Sequence, residues 1–227
     1  MDDPPSKTSR VRSHRLERLT ENGAVAVLRT DTLTVLPPVA NALLNGGITA
    51  IEVTMTTPDA LSSIEAVREA VGEDSIVGVG SVTDPKTTQD AIQAGAEFVV
   101  SPIFKSSIID AAHALDVPAI PGGFTPTEVQ RAHEAEADLV KVFPASTGGP
   151  SHVRALKAPL PHLDLMPTGG ISIEDAGEWL RAGAELVGMG SALLDGLTLR
   201  RDDYSQITRN ARRLRERLDA VQEETVE

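Results

Sequence analysis

Short apolar, β-branched runs alternate along this chain with longer segments of helical periodicity. The runs are Ala24–Leu28, Ala50–Val53, Ile76–Val79, Phe98–Val100, Pro118–Ile120, Leu139–Phe143, Leu163–Met166 and Leu186–Met189. Short apolar runs bounded by turn signals read as buried strands. Between them Thr32–Asn45, Pro58–Val71, Pro85–Ala94 and Ile173–Ala182 carry helical spacing. Several of these segments stop at glycine, as in Asn45-Gly46-Gly47, Ala94-Gly95 and Ala182-Gly183. Glycine is expected just past a helix because it tolerates left-handed backbone. Thr57-Pro58, Asp84-Pro85 and Thr125-Pro126 place a capping side chain ahead of a proline whose φ already suits a first helical turn.

Strands that alternate with helices predict a parallel sheet. Eight such units close more economically as a barrel than as an open sheet. The predicted fold is therefore α/β, a single (β/α)8 TIM barrel with a short N-terminal helix over Ser13–Glu21. In the last segment, Tyr204–Val221, one stripe carries Ile207, Ala211, Leu214, Leu218 and Val221, so it closes the barrel as the eighth helix. Residues 1–12 are polar and contain proline, and read as a disordered tail. That leaves 13–227 as one barrel domain, without a linker or a low-complexity tract.

Composition narrows the function classes. The 227 residues are 41% hydrophobic, enough for one large core. No run is long and apolar enough to cross a bilayer, and MDDPPSKTSR lacks the apolar centre of a signal peptide, so a cytoplasmic enzyme is expected. The chain has no cysteine, which excludes disulfides, thiolate catalysis and Cys-ligated zinc. A net charge of −12 argues against a nucleic-acid partner, which would need a basic face. Arginine makes up all but five of the 21 basic residues. An acidic, lysine-poor and aromatic-poor surface suggests adaptation to a salty (halophilic) cytoplasm, where charge keeps a protein soluble. An ordinary acidic bacterial enzyme is the other reading.

In a barrel, functional groups gather at the C-terminal ends of the strands. Lys141 sits inside the apolar run Leu139-Val140-Lys141-Val142-Phe143-Pro144. A buried ammonium is costly unless paired, and an amine held in a barrel is the nucleophile that forms a Schiff base with a carbonyl. The alternative is a lysine snorkelling from a strand end. Glu52 likewise interrupts Ala50-Ile51-Glu52-Val53-Thr54. Near Lys141 it would shuttle protons; the other reading is a structural ion pair, with Arg29 a candidate partner. Arg29 follows the first strand and is also a candidate for bidentate binding of a carboxylate or phosphate.

A split glycine-rich feature completes the set. The seventh run is followed by Pro167-Thr168-Gly169-Gly170-Ile171, and the eighth ends in Gly188-Met189-Gly190-Ser191. Loops at those two strand ends often bind phosphate through backbone N–H groups; tight turns without a ligand are the alternative. Gly78-Val79-Gly80-Ser81, Ser101-Pro102 and Pro121-Gly122-Gly123-Phe124-Thr125 lie on the same face. His14, His113, His133, His152 and His162 lack ligand spacing, so no metal site is expected.

These residues resemble, in order, the motifs of the 2-keto-3-deoxy-6-phosphogluconate (KDPG) and 4-hydroxy-2-oxoglutarate aldolases. The matching pieces are Glu52-Val53-Thr54, Gly78-Val79-Gly80-Ser81-Val82, Ser101-Pro102, Pro121-Gly122, Lys141-Val142-Phe143-Pro144-Ala145, Pro167-Thr168-Gly169-Gly170-Ile171 and Gly188-Met189-Gly190-Ser191. The resemblance implies a class I aldolase that needs no cofactor beyond its lysine imine. Lys141 would carry the Schiff base with pyruvate or the keto acid, and Glu52 would be the general acid/base. Arg29, Thr54, Ser81, Pro102, Phe143, Thr168, Gly169 and Gly170 would bind substrate, with Gly169, Gly170, Gly190 and Ser191 on the phosphate. A homotrimer is implied too. Two positions depart from the pattern. Thr56 stands where many relatives have an arginine that contacts substrate, and Ser81 stands where threonine is common. KDPG is the expected substrate, with the galactonate epimer or unphosphorylated 4-hydroxy-2-oxoglutarate as alternatives. A non-catalytic phospho-sugar-binding barrel and a metal-dependent phosphate-binding barrel are the outside readings.

Overall fold

The structure is a computed structural model that describes residues 9–21, 23–31, 33–194, 198–199 and 202–226. Helix α1 spans Arg10–Thr20, and the Ser9 side chain caps it by accepting from the Arg12 N–H at 3.1 Å. The tail expected over 1–12 is corrected here: Ser9 to Arg12 belong to this capped helix, and residues 1–8 lie outside the described residues.

Strands β1 (Ala24–Leu28), β2 (Ala50–Thr54), β3 (Ile76–Gly80), β4 (Val99–Val100), β5 (Ala119–Ile120), β6 (Gly122–Gly123), β7 (Val140–Val142), β8 (Leu165–Pro167) and β9 (Val187–Met189) are all parallel to their neighbours. They run β5-β4-β3-β2-β1-β9 in one sheet and β6-β7-β8 in the other. The fifth predicted strand, Pro118–Ile120, is found as β5, and Gly122–Gly123, expected in the loop after it, forms a second short piece, β6. Pro121, which has no N–H to give the ladder, separates them, while its carbonyl accepts from Lys141 N–H at 2.9 Å. On the other side a lone parallel bridge, Thr168 to Gly188, joins β8 to β9. With those two seams the sheet closes, as eight βα units predict.

Around it lie α2 (Leu36–Leu44), α3 (Ala60–Val71), α4 (Pro85–Gln93), α5 (Ser106–His113), α6 (Pro126–Glu134), α7 (Gly149–Lys157), α8 (Ala176–Arg181) and α9 (Tyr204–Val226). Asp84 and Thr125 cap α4 and α6 as expected, Thr125 in a reciprocal box with Glu128. Thr57 does not cap. Its N–H turns back to the Thr54 carbonyl at 2.9 Å, and α3 starts after Asp59, whose φ is +49°. In α9 the predicted stripe Ile207, Ala211, Leu214, Leu218 and Val221 is buried.

Alternation along each strand decides what faces inward. Ala24, Ala26 and Leu28 pack in the shell between strands and helices, while Val25 packs inside the barrel. The interior floor comprises Val25, Ala50, Ile76, Phe98, Val100, Ile120, Leu139, Met166 and Leu186, plugged from below by Leu19 of α1. Ion pairs pin that helix down. Arg12 pairs with Asp138 at 3.2 Å, and Arg18 pairs with Glu97 at 3.3 Å and donates to the Ser75 carbonyl at 2.8 Å. The N-terminal mouth is therefore built for packing. The same alternation points Glu52 and Lys141 inward, above the floor.

Candidate active site

Above the floor is a cavity of about 390 Å³, open at the C-terminal ends of the strands. Lys141 and Glu52 both line it and are 6% and 1% exposed. Glu52 fits because β3 presents glycine opposite it. A Cβ on Gly80 would collide with the Glu52 carboxylate, and its distance to Glu52 Cγ would be 2.7 Å. One tier lower, a Cβ on Gly78 would meet the Phe98 ring at 2.5 Å.

Both Glu52 oxygens are buried without a hydrogen-bond partner. Burial raises the Glu52 pKa above the ordinary 4.5, and the charges of Lys141 and Arg29 oppose that rise. A carboxyl that keeps its proton closer to neutrality is suited to proton transfer. The structural ion pair weighed for Glu52 is not formed; Arg29 acts on it through space. The Lys141 Nζ lies 5.2 Å from the centroid of the Phe143 ring, within cation–π range. Phe143 is 40% exposed and lines the same cavity.

The glycine features form the far wall. Gly169 and Gly170 have φ of +97° and +74°, a backbone that costs other residues about 1 kcal/mol or more. The turn is fixed from behind: Ala145 N–H donates to the Thr168 carbonyl at 2.9 Å, and Ser146 N–H to the Gly169 carbonyl at 3.0 Å. Gly190 and Ser191 follow β9, and both Leu193 and Leu194 N–H groups fold back onto the Gly190 carbonyl at 3.0 Å. Gly169, Gly170, Gly190 and Ser191 all line the cavity, so the two loops form one concave wall.

Arg29, Ser81, Pro102 and Thr168 line the cavity as well. Ser81 holds a left-handed φ of +62°, uncommon for a residue with a Cβ. Thr54 corrects the expectation: it is fully buried but outside the lining, and its hydroxyl lies 3.0 Å from Thr56 Oγ1 and 3.4 Å from Thr57 Oγ1. Thr54 is the next inward position on β2 after Glu52, but the short turn through Thr57 engages its hydroxyl. Val27, Ile171 and Leu194 line the cavity and were not anticipated. Strand alternation from Val25 points to Val27. Leu194 sits in a turn without periodicity, so nothing in the sequence marks it. Among the described residues, no group of three His, Cys, Asp or Glu side chains is placed to hold a metal ion, and no helix is long and apolar enough to cross a membrane.

An inward lysine and a buried carboxyl without hydrogen-bond partners at the C-terminal end of a barrel, facing a glycine wall, suit a carbonyl compound with a distal anion. That combination defines an aldolase-type lyase site. The sequence pattern of the KDPG and KHG aldolases matches residues 16–210. The 2-dehydro-3-deoxy-phosphogluconate aldolase of Treponema pallidum is 38% identical over 174 residues, covering 75% of this chain and 81% of that protein. The 2-dehydro-3-deoxy-6-phosphogalactonate aldolase of Escherichia coli is 32% identical over 170 residues, covering 74% of this chain and 83% of that one. The KDPG aldolase of Legionella pneumophila, solved with pyruvate captured as a covalent carbinolamine, superposes with a TM-score of 0.81 at 26% identity, covering 91% and 98% of the two chains. This chain belongs to the KDPG and KHG aldolase family and is a carbon–carbon lyase.

Proposed function

We propose that the enzyme cleaves KDPG reversibly to pyruvate and glyceraldehyde 3-phosphate through an imine on Lys141. One observation carries the reading: Lys141 and Glu52 are buried in the same cavity, and its far wall is the glycine cradle. The unprotonated Lys141 amine attacks the C2 carbonyl, and Glu52 delivers a proton to the oxygen. Loss of water gives the protonated imine and leaves Glu52 as the carboxylate. The carboxylate form of Glu52 then removes the C4 hydroxyl proton, directly or through water, and the C3–C4 bond breaks. Its electron pair moves into the imine to leave an enamine. Protonation at C3 and hydrolysis release pyruvate and restore the lysine. Gly169, Gly170, Gly190 and Ser191 hold the phosphate, Arg29 assists, and Ser81, Pro102, Phe143 and Thr168 shape the keto-acid end. The carbinolamine described for the Legionella enzyme supports the same covalent route here.

Pyruvate plus borohydride should leave a reduced adduct on Lys141, found by peptide mass. Lys141→Ala should lose nearly all turnover, and Glu52→Gln about 10²–10⁴-fold, the usual scale of acid–base contributions. An unmodified Lys141 in an enzyme that still cleaves KDPG refutes the imine. Turnover should survive chelator, since the proposed route uses no metal. The galactonate epimer is the second reading, favoured by the similarity to the E. coli phosphogalactonate enzyme. The ratio of kcat/KM for the two epimers decides between them. We further propose a homotrimer, as the family resemblance implies, and light scattering gives its mass directly.

A further inference from the structure

Arg29 occupies a particular place among the strands. In the sheet, β1 lies between β2, which carries Glu52, and β9, which leads into Gly190–Ser191. The register sets Val27 opposite Glu52 and Ala26 opposite Met189. Two residues past Val27, Arg29 stands one tier above the carboxyl on one side and level with the anion cradle on the other. It lines the cavity but is exposed to solvent, and no hydrogen bond or ion pair engages its guanidinium among the described residues.

Glu52 is placed to feel that guanidinium. No hydrogen bond stabilises its charged form. From β3 it faces Gly80, which brings no charge. From β7 it faces Lys141 and from the end of β1 Arg29, and these two cations are the charges that act on it. Its proton affinity is therefore set by burial against two through-space charges, one of them free to take a ligand.

We infer that Arg29 couples substrate binding to the proton on Glu52: an anion seated on Arg29 cancels its charge at Glu52, and the carboxyl takes up a proton. The inference rests on the aldolase reading above, because it gives the proton a use. Glu52 would arrive charged with the proton that carbinolamine formation and dehydration consume, and it would do so in response to the substrate's own distal anion. Arg29 acts here as a positioning residue for charge, through Glu52. Linkage fixes the sign. If anion binding favours protonated Glu52, protonated Glu52 favours anion binding by the same factor. Anion affinity must rise as pH falls through the Glu52 titration, then level off.

Sulfate is the probe, since it stays doubly charged across the range and brings no proton of its own. Its Kd is measured by calorimetry on the full chain from pH 5 to pH 8. Wild type should tighten about fivefold toward acid pH, the low end of typical coupling because Arg29 is exposed. Glu52→Gln should bind with a Kd that does not change with pH. Arg29→Gln should bind weakly and also without pH dependence, and Arg29→Lys, which keeps the charge, should recover the slope. A flat wild-type profile overturns the inference, as does sulfate that does not bind. Undiminished pH dependence in Glu52→Gln assigns the effect elsewhere and also overturns it, as does wild-type affinity in Arg29→Gln. These titrations need no turnover, so failure of borohydride trapping at Lys141 sinks the aldolase chemistry separately from the coupling.

Discussion

Adding one methyl group at either of two glycines on β3 should have opposite consequences. A Cβ at Gly80 would overlap the Glu52 carboxylate, with Glu52 Cγ at 2.7 Å against a normal contact nearer 3.5 Å. The group that gives way is the end of a flexible side chain beside an open cavity. It can swing by about 1 Å at little cost in folding, and a displacement of that size costs catalysis about 10²-fold. A Cβ at Gly78 would instead press on the Phe98 ring at 2.5 Å. Phe98 is fully buried in the barrel floor and has nowhere to go, so overpacking should cost about 1–3 kcal/mol. In a chain of this size that lowers Tm by about 2–12 °C. Gly80→Ala should therefore lose about 10²-fold in kcat with Tm nearly unchanged. Gly78→Ala should lose Tm while the folded enzyme keeps kcat within a few fold of wild type. The assay is KDPG cleavage coupled to pyruvate detection, beside thermal unfolding of the same samples. Gly80→Ala with wild-type kcat would refute the claim that this glycine exists to seat the carboxyl. A matching drop in Tm for both variants would refute the division between floor and site.

Three further outcomes test the physical reading. Glu52 binds its proton more tightly folded than unfolded, so its contribution to stability is present below the ordinary value of 4.5 and is lost as pH rises through the raised folded pKa; Glu52→Gln should thus be more stable than wild type at neutral pH, by a margin that shrinks toward pH 4, and a margin that ignores pH would contradict the burial argument. The Asp138 side chain is 6% exposed and meets Arg12 at 3.2 Å, His113 at 2.8 Å and the Ala119 N–H at 2.8 Å, so Asp138→Ala should cost about 3–5 kcal/mol in chemical denaturation without changing KM, and an unchanged midpoint would deny the floor network its role. If the charge of −12 is adaptation to salt, activity should persist in molar KCl, whereas collapse there would remove the halophile reading.

Much of the fold was legible because its signals are local. The strand runs need only β-branched residues between turns, and Asp84 and Thr125 act within one helical turn. The misreadings share a cause. Ser9 is a good cap, but residues 10–12 offered no apolar stripe to announce a helix. Thr57-Pro58 resembles the two true caps, yet the chain turns back at Thr57 because its N–H meets Thr54 across a tight loop. Pro118–Ile120 was legible as a strand, but Gly122–Gly123 was read as a loop, and only neighbours distant in sequence show that it pairs with β7 past Pro121.

The site divides along the same line. Lys141 and Glu52 were legible because a charge in an apolar strand contradicts its surroundings, and the contradiction needs no partner to be visible. Leu194 and Ile171 were not, since an apolar residue in a loop contradicts nothing. Thr54 shows where periodicity misleads: alternation alone would carry it into the cavity, and a turn hydrogen bond diverts it. Gly80 and Arg29 lie between these cases. Both stood out in the sequence, Gly80 in a glycine motif read as a turn and Arg29 as a candidate anion ligand, and Gly80 proves to be the last residue of β3. What they do to Glu52 depends on strand register, because β3 and β1 flank β2. Register is a property of pairs of strands, and a reading of one strand at a time has no access to it. The closed barrel therefore does more than hold Lys141 and Glu52 in place. By setting β2 between a glycine strand and an arginine strand, it fixes both the space around the carboxyl and the field acting on it.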